Sequence, residues 1–184
     1  NLWQLGSLQG HQYGVPYLYV SWHLLYNRAL FDAAKLPYPP ATSQAPGFDD
    51  WTWERFFEAG RALTLDNDGD GRVDQWGFAW GALAANPNAI YPFLWQGGAD
   101  LLDSTGKRNG LVPHGEVGLG FLARLAAEGL VPEGGLHPGP QDLFYRGRAA
   151  MMLTAQASTR VVRRDFPELD IGAAIVPQGP ARTF

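Results

Sequence analysis

Apolar positions recur along the chain with two different periods. In "TWERFFEAGRALT", Trp53, Phe56, Phe57, Gly60 and Leu63 fall on one face at helical spacing, which predicts an amphipathic helix. Thr52 stands where a cap is wanted, and Glu54 suits the positive end of the helix dipole. A second helix is expected over Gly115 to Glu128, with Val117, Phe121, Leu122 and Leu125 inward and Gly129 ending it. "NRALFDAAKL", "AIYPFLWQGG", Asp142 to Tyr145 and "ASTRVVRRDF" read as shorter helices.

Between them lie short runs with strand composition. "YGVPYLYVSWHLLYN" (Tyr13 to Asn27) is rich in β-branched and aromatic residues and reads as two extended pieces with a bend near Val20 to Trp22. "QWGFAWG", "RAAMMLT" and "DIGAAIVP" read as further strands, and "GADLLDSTGK" as a hairpin-like excursion around Ser104 to Gly106. Strands alternating with helices predict an α/β domain with a mixed, largely parallel sheet.

Composition narrows the function classes. With 184 residues the chain can bury one full core. Net charge is -4, and the dense basic group Arg160, Arg163 and Arg164 reads as a solvated helix face, so no nucleic-acid partner is expected. There is no cysteine, which removes disulfides, thiolate metal sites and cysteine nucleophiles. No apolar run is long enough to span a bilayer. The chain opens at Asn1 and stops at "VPQGPARTF", as expected of a piece of a longer protein.

"DNDGDGRVDQWG" follows the spacing of a calcium loop at Asp66, Asp68, Asp70, Arg72 (through its carbonyl) and Asp74, with Gly71 at the tight turn. The twelfth position is Gly77 where a bidentate glutamate belongs. Two readings stay open: one structural calcium, or a sharp Asp/Gly turn whose side chains bond their own backbone. No cofactor is required in either case.

Catalytic patterns are missing. The four histidines stand far apart, and no nucleophile elbow, phosphate loop or dinucleotide fingerprint occurs. Asp49/Asp50 and Asp100/Asp103 are the loop acids that a glycosidase reading would need, and neither pair is convincing. Aromatic area is plentiful instead, with seven Trp, seven Tyr and ten Phe. Trp22 lies between Ser21 and His23, and Asn86 and Asn88 flank Pro87. Aromatic faces beside side-chain amides suit a sugar.

The ordered set "GVPYLYVSWHLLYNRALFDAAKLPYP", "WTWERFFEAGRALT", "DNDGDGRVDQWGF", "LWQGGADLLD", "LFYRGRAAMML" and "DIGAAIVPQGP" resembles the extracellular solute-binding proteins of ABC importers, in the family of sugar and glycerol-3-phosphate binders. The resemblance covers nearly the whole chain. It implies one lobe, residues 1–184, of a two-lobed, three-layer periplasmic-binding-protein-like fold, with the N-terminal lobe missing and hinge crossovers near residues 10–20 and 177–184. It implies no catalysis, an extracytoplasmic location with a periplasmic or membrane-anchored form, and membrane permease subunits as partners. Its cleft loops map to Val20 to His23, Ala85 to Asn88 and Thr154 to Ser158. Ligand-contact candidates are therefore Ser21, Trp22, His23, Asn86, Pro87, Asn88, Trp95, Thr154, Gln156 and Ser158. Ala155 and Ala157 stand where many sugar binders carry Gly and Trp. A carbohydrate is the expected ligand. The rival expectations are a calcium-stabilised adhesion module and a binder of a phosphorylated polyol, to which Arg160 is suited.

Overall fold

The computed structural model describes residues 2–18, 20–80, 87–103, 105–111, 114–132 and 141–181. A small ribbon of β1 (Ser7–Leu8) and β2 (His11–Gln12) precedes the main body. The body follows as β3 (Trp22–Asn27), α1 (Arg28–Ala33), α2 (Trp53–Ala62), β4 (Trp76–Trp80), α3 (Tyr91–Gln96), α4 (Gly115–Ala127), α5 (Gln141–Tyr145), β5 (Ala149–Ala155), α6 (Gln156–Asp165) and β6 (Ile171–Ala174).

The four body strands form one sheet in the order β4-β5-β3-β6. β4 and β5 pair in parallel, while β3 runs antiparallel to both β5 and β6. Three strands therefore point one way, with β3 reversed between two of them. The expected mixed sheet is present, but only one of its neighbour pairs is parallel. The reason is topological: the crossovers β4-to-β5 and β5-to-β6 carry helices, as parallel strands require, and β3 is inserted between the ends of the second crossover.

Helices cover both faces, giving the expected three layers. On one face Leu24, Tyr26, Phe78, Trp80, Met151 and Leu153 pack with Phe31, Phe56, Phe57, Phe93, Phe121 and Leu125. Phe121 is the hub of this face, stacked on Phe93 at 4.7 Å and close to Trp53 at 4.6 Å. On the other face Leu25, Ala79, Met152 and Ile171 meet Phe144 from α5 and Val162 from α6.

Several elements form for local reasons, the Thr52 cap and the Gly129 helix end as expected. Thr52 caps α2 by accepting from the Arg55 N–H, and Asn27 caps α1 by accepting from the Leu30 N–H. Gly129, just past α4, has φ +66°, a left-handed conformation that favours glycine. Arg124 of α4 makes two bonds to Glu54 of α2, at 2.8 and 3.0 Å, and lies 4.0 Å over the Phe57 ring. Both Glu54 and Glu128 are held below the usual carboxylate range, Glu54 by Arg124 and Glu128 chiefly by Arg61.

Two expectations are corrected. The strand read from Tyr13 to Asn27 begins only at Trp22. Residues 13–18 carry no strand, and Tyr17 is 98% exposed. Composition favours an extended chain there, but a strand needs a hydrogen-bonding neighbour. In α4, Val117 is 39% exposed and Gly118 takes the buried position. A Cβ on Gly118 would lie 2.5 Å from the Phe93 carbonyl oxygen, so α3 and α4 meet backbone to backbone.

Candidate functional site

The topology collects the start of β3 and the ends of β4, β5 and β6 at one edge of the sheet. Trp22 lies opposite Ala155, Trp80 opposite Leu153, and Leu24 opposite Ala174. In open α/β sheets, ligands bind where strand carboxyl ends and the loops leaving them form a crevice. Two of the three expected loops, residues 20–23 and 154–158, are brought together here. The third leaves β4 after Trp80 at the same edge. Its Ala85 and Asn86 lie outside the described residues.

Two hydrogen bonds join the first and third loops. The Gln156 N–H donates to the Ser21 carbonyl oxygen at 3.1 Å. The Ser21 hydroxyl donates to Gln156 Oε1 at 3.1 Å. Gln156 opens α6, whose start has no side-chain cap. The first-turn N–H groups of that helix give this edge a positive partial charge that suits oxygen-rich ligands.

Side chains along β3 alternate between faces. Trp22 shares the face of Leu24 and Tyr26 and packs, half-buried, against the larger core cluster. Such a ring has a wall behind it and an open rim, as a stacking platform requires. His23 points to the opposite face, where its Nε2 lies 2.8 Å from Thr159 Oγ1 of α6. Burial pushes the His23 imidazole pKa down. Thr154, paired with His23 across the strands, is only 5% exposed. These two therefore support the start of α6 from beneath, while Ser21, Trp22 and Gln156 meet at the edge, and Ser158 is half-buried one turn before the buried Val162. Thr159 was not among the expected residues. Its position one turn after Gln156, on the helix flank nearest the sheet, is the signal that could have found it.

Pro87 and Asn88 lie in a short 3-10 turn, Pro87–Ala89, and Asn88 is exposed. Trp95 is 38% exposed and lies 5.7 Å from the Tyr91 ring within α3. Trp95 thus keeps part of its ring open to solvent on α3.

The Asp-rich turn lies elsewhere, between α2 and β4. Its side chains bond its own backbone: Asp66 accepts from Gly69 N–H at 2.7 Å and Gly71 N–H at 2.8 Å, Asp70 from Arg72 N–H at 2.8 Å, and Asp74 from Asn67 N–H at 2.9 Å. These amides lower the Asp66 pKa, Gly71 foremost. Carboxylate oxygens of Asp66, Asp68 and Asp74 come within 4.8 Å of one another, so those three could contribute to a cation shell. Asp70 is not in that group, and Gly77 is a residue of β4. A Cβ on Gly77 would lie 2.2 Å from the Gly60 carbonyl oxygen, which is why no side chain stands at the twelfth position.

The comparisons with known proteins agree on the fold. The family model of bacterial extracellular solute-binding proteins matches residues 1–184. Curated relatives named as binding proteins in Brucella abortus (strain 2308) and Brucella suis biovar 1 (strain 1330) are 25% identical over 183 residues, 94% of this chain and 39% of theirs. An ABC substrate-binding protein from Listeria monocytogenes, solved in complex with cycloalternan, superposes with TM-score 0.74 at 22% identity, over 97% of this chain and 42% of its own. The sugar-binding protein MalE from Xanthomonas citri gives 0.73 at 20% identity, over 97% and 42%. UgpB from Mycobacterium tuberculosis, in complex with glycerophosphocholine, gives 0.70 at 19% identity, over 97% and 41%. The chain spans about two fifths of the length of each of these relatives.

Proposed function

The chain belongs to the bacterial extracellular solute-binding protein family, a family of binding proteins and not of enzymes, and on that premise we propose that it is one ligand-binding lobe of an ABC-importer protein that captures a carbohydrate. The observation that carries this reading is the junction of β3 with α6. There a half-buried Trp22 stands beside the Ser21 hydroxyl, the Gln156 amide and an uncapped helix start. A sugar presents an apolar ring face to an indole and hydroxyl groups to amides and hydroxyls. Solved relatives of this fold hold cycloalternan and maltotriose.

In the complete protein, a second lobe closes over the solute about hinge segments near residues 10–20 and 177–184, and the closed form docks on the permease outside the cytoplasm, free in the periplasm or anchored at the membrane. Non-covalent capture is the whole mechanism. Ligand burial and preorganisation are shared between the lobes, so this lobe alone binds weakly.

The test is a thermal-shift screen of the complete protein against mono- and oligosaccharides. A ligand at a hundred times its dissociation constant stabilises by about 2.7 kcal/mol, enough to read for one sugar class against the rest. A screen in which no sugar raises the melting temperature would remove the carbohydrate from this reading and leave the fold untouched.

A further inference from the structure

α6 is tied to the sheet in two different ways along its length. Among its residues only Val162 is buried, and it packs with Leu25, Met152 and Phe144 on the second face of the sheet. The first turn has no such anchor. Gln156 and Ala157 are exposed, Ser158 and Thr159 are half-buried, and the helix start lacks a side-chain cap. Polar bonds to the start of β3 hold that turn instead. Ser21 and His23 stand two apart and share one face of the extended chain, while Gln156 and Thr159 stand three apart and share one flank of the helix. The two pairs meet in register, Ser21 with Gln156 and His23 with Thr159.

The two pairs are not equivalent. The Ser21–Gln156 side-chain bond is open to water, which replaces a neutral hydrogen bond at little net cost. The His23–Thr159 bond, at 2.8 Å, is partly buried, and an imidazole nitrogen left unpaired there would lose water without regaining a partner. Burial lowers the His23 pKa, so the ring is neutral at pH 7 and offers one donor and one acceptor nitrogen. A hydroxyl matches either nitrogen; serine supplies one and valine does not. The inner pair therefore fixes the tilt of the first turn. Gln156 follows, because it lies one turn before Thr159 on the same helix.

We propose that His23 and Thr159 are positioning residues of the solute edge: they set the place of Gln156 against Ser21 and Trp22 without themselves touching the solute. The inference deepens the solute-binding reading above and rests on it. It gives His23 a role other than the direct contact expected of it, and brings Thr159 into the site.

The experiment combines amide NMR of the free, complete protein with maltotriose titrations of the parent, T159V, T159S, H23F and T159V/H23F. T159V keeps the size of the side chain and removes the hydroxyl. In the free protein it should displace the Gln156 backbone and side-chain amide signals, whereas T159S should leave them near their parent positions. Maltotriose should bind about fivefold more weakly to T159V and to H23F. The double variant should bind no more weakly than either single one, because both changes remove the same bond. T159S should keep most of the affinity. Equal losses in T159S and T159V would make the methyl packing the cause and overturn the proposal. A loss of about twenty-five-fold in the double variant, the product of two independent effects, would overturn it too. An unmoved Gln156 signal in T159V would overturn it whatever the solute. A parent that binds no maltotriose, with the Gln156 signal still displaced in T159V, would keep the positioning pair and count against the carbohydrate reading.

Discussion

Gly77→Ala tests the account of how α2 and β4 are held together. A Cβ at Gly77 would stand 2.2 Å from the Gly60 carbonyl oxygen and 2.7 Å from its carbonyl carbon, whereas ordinary contact begins near 3.4 Å. Both obstructing atoms belong to the α2 backbone, so no side chain can rotate away. The helix must lift by about 1 Å, loosening Phe56 and Phe57 from the sheet. Overpacking costs about 1–3 kcal/mol, and a backbone obstacle puts this case near the top, at about 3 kcal/mol. For a domain of this size that lowers the melting temperature by about 6–12 °C. Gly120→Ala is the control, because nothing lies within 4 Å of a Cβ built there, in the middle of α4. It should stabilise by about 0.5–1 kcal/mol through helix propensity. Thermal unfolding followed by circular dichroism reads both. A Gly77→Ala protein melting within about 2 °C of the parent would refute the backbone contact.

Three further outcomes are expected. His23 has a lowered pKa, so its contribution to stability is complete above the ordinary histidine value of about 6.5 and declines as pH falls through the lower folded-state value. Urea midpoints between pH 8 and 5 should show that decline in the parent and a flatter profile in His23→Gln; an unchanged slope would place its cause elsewhere. The Asp66–Asp74 turn spends its carboxylates on its own amides and lacks a bidentate ligand, so calcium should bind no tighter than about 1 mM. Calcium at 1 mM would then add about 0.4 kcal/mol, a shift of about 1–2 °C, and a rise above about 5 °C would mean the turn is a built calcium site. Ser21→Ala removes the hydroxyl that holds Gln156, and should weaken sugar affinity several-fold while leaving the melting temperature within about 1 °C, as the bond is solvent-exposed; equal affinity would put the solute elsewhere.

Much of the fold was legible because local pattern and burial coincide. Trp53 to Leu63 announced α2, whose Phe56, Phe57, Gly60 and Leu63 are buried as the spacing requires. The run Ala149 to Thr154 is buried throughout, as expected of a strand covered on both faces. What sequence could not supply were long-range relations. Tyr13 to Leu18 has strand composition, yet no strand among the described residues pairs with it, and only Tyr13 and Gly14 bond back to the Gly6 carbonyl. Val117 fits the helical stripe, but Gly118 is the residue that lets α3 approach. The site shows the same division. Loop order brings Ser21, Trp22 and Gln156 to one edge of the sheet, because chain order fixes where loops leave a sheet. Pairing of His23 with Thr154 under α6 depends on register, which no local pattern encodes.

The most direct measurement is an amide and indole NMR titration of the protein with pooled mono- and oligosaccharides at high millimolar concentration. The account predicts saturable shifts gathered at the Trp22 indole and at the amides of Ser21, Asn88, Gln156 and Ser158, all diminished in Trp22→Ala. Shifts gathered on the outer faces of α2 and α4, or none at any sugar, would contradict a carbohydrate edge at the β3–α6 junction.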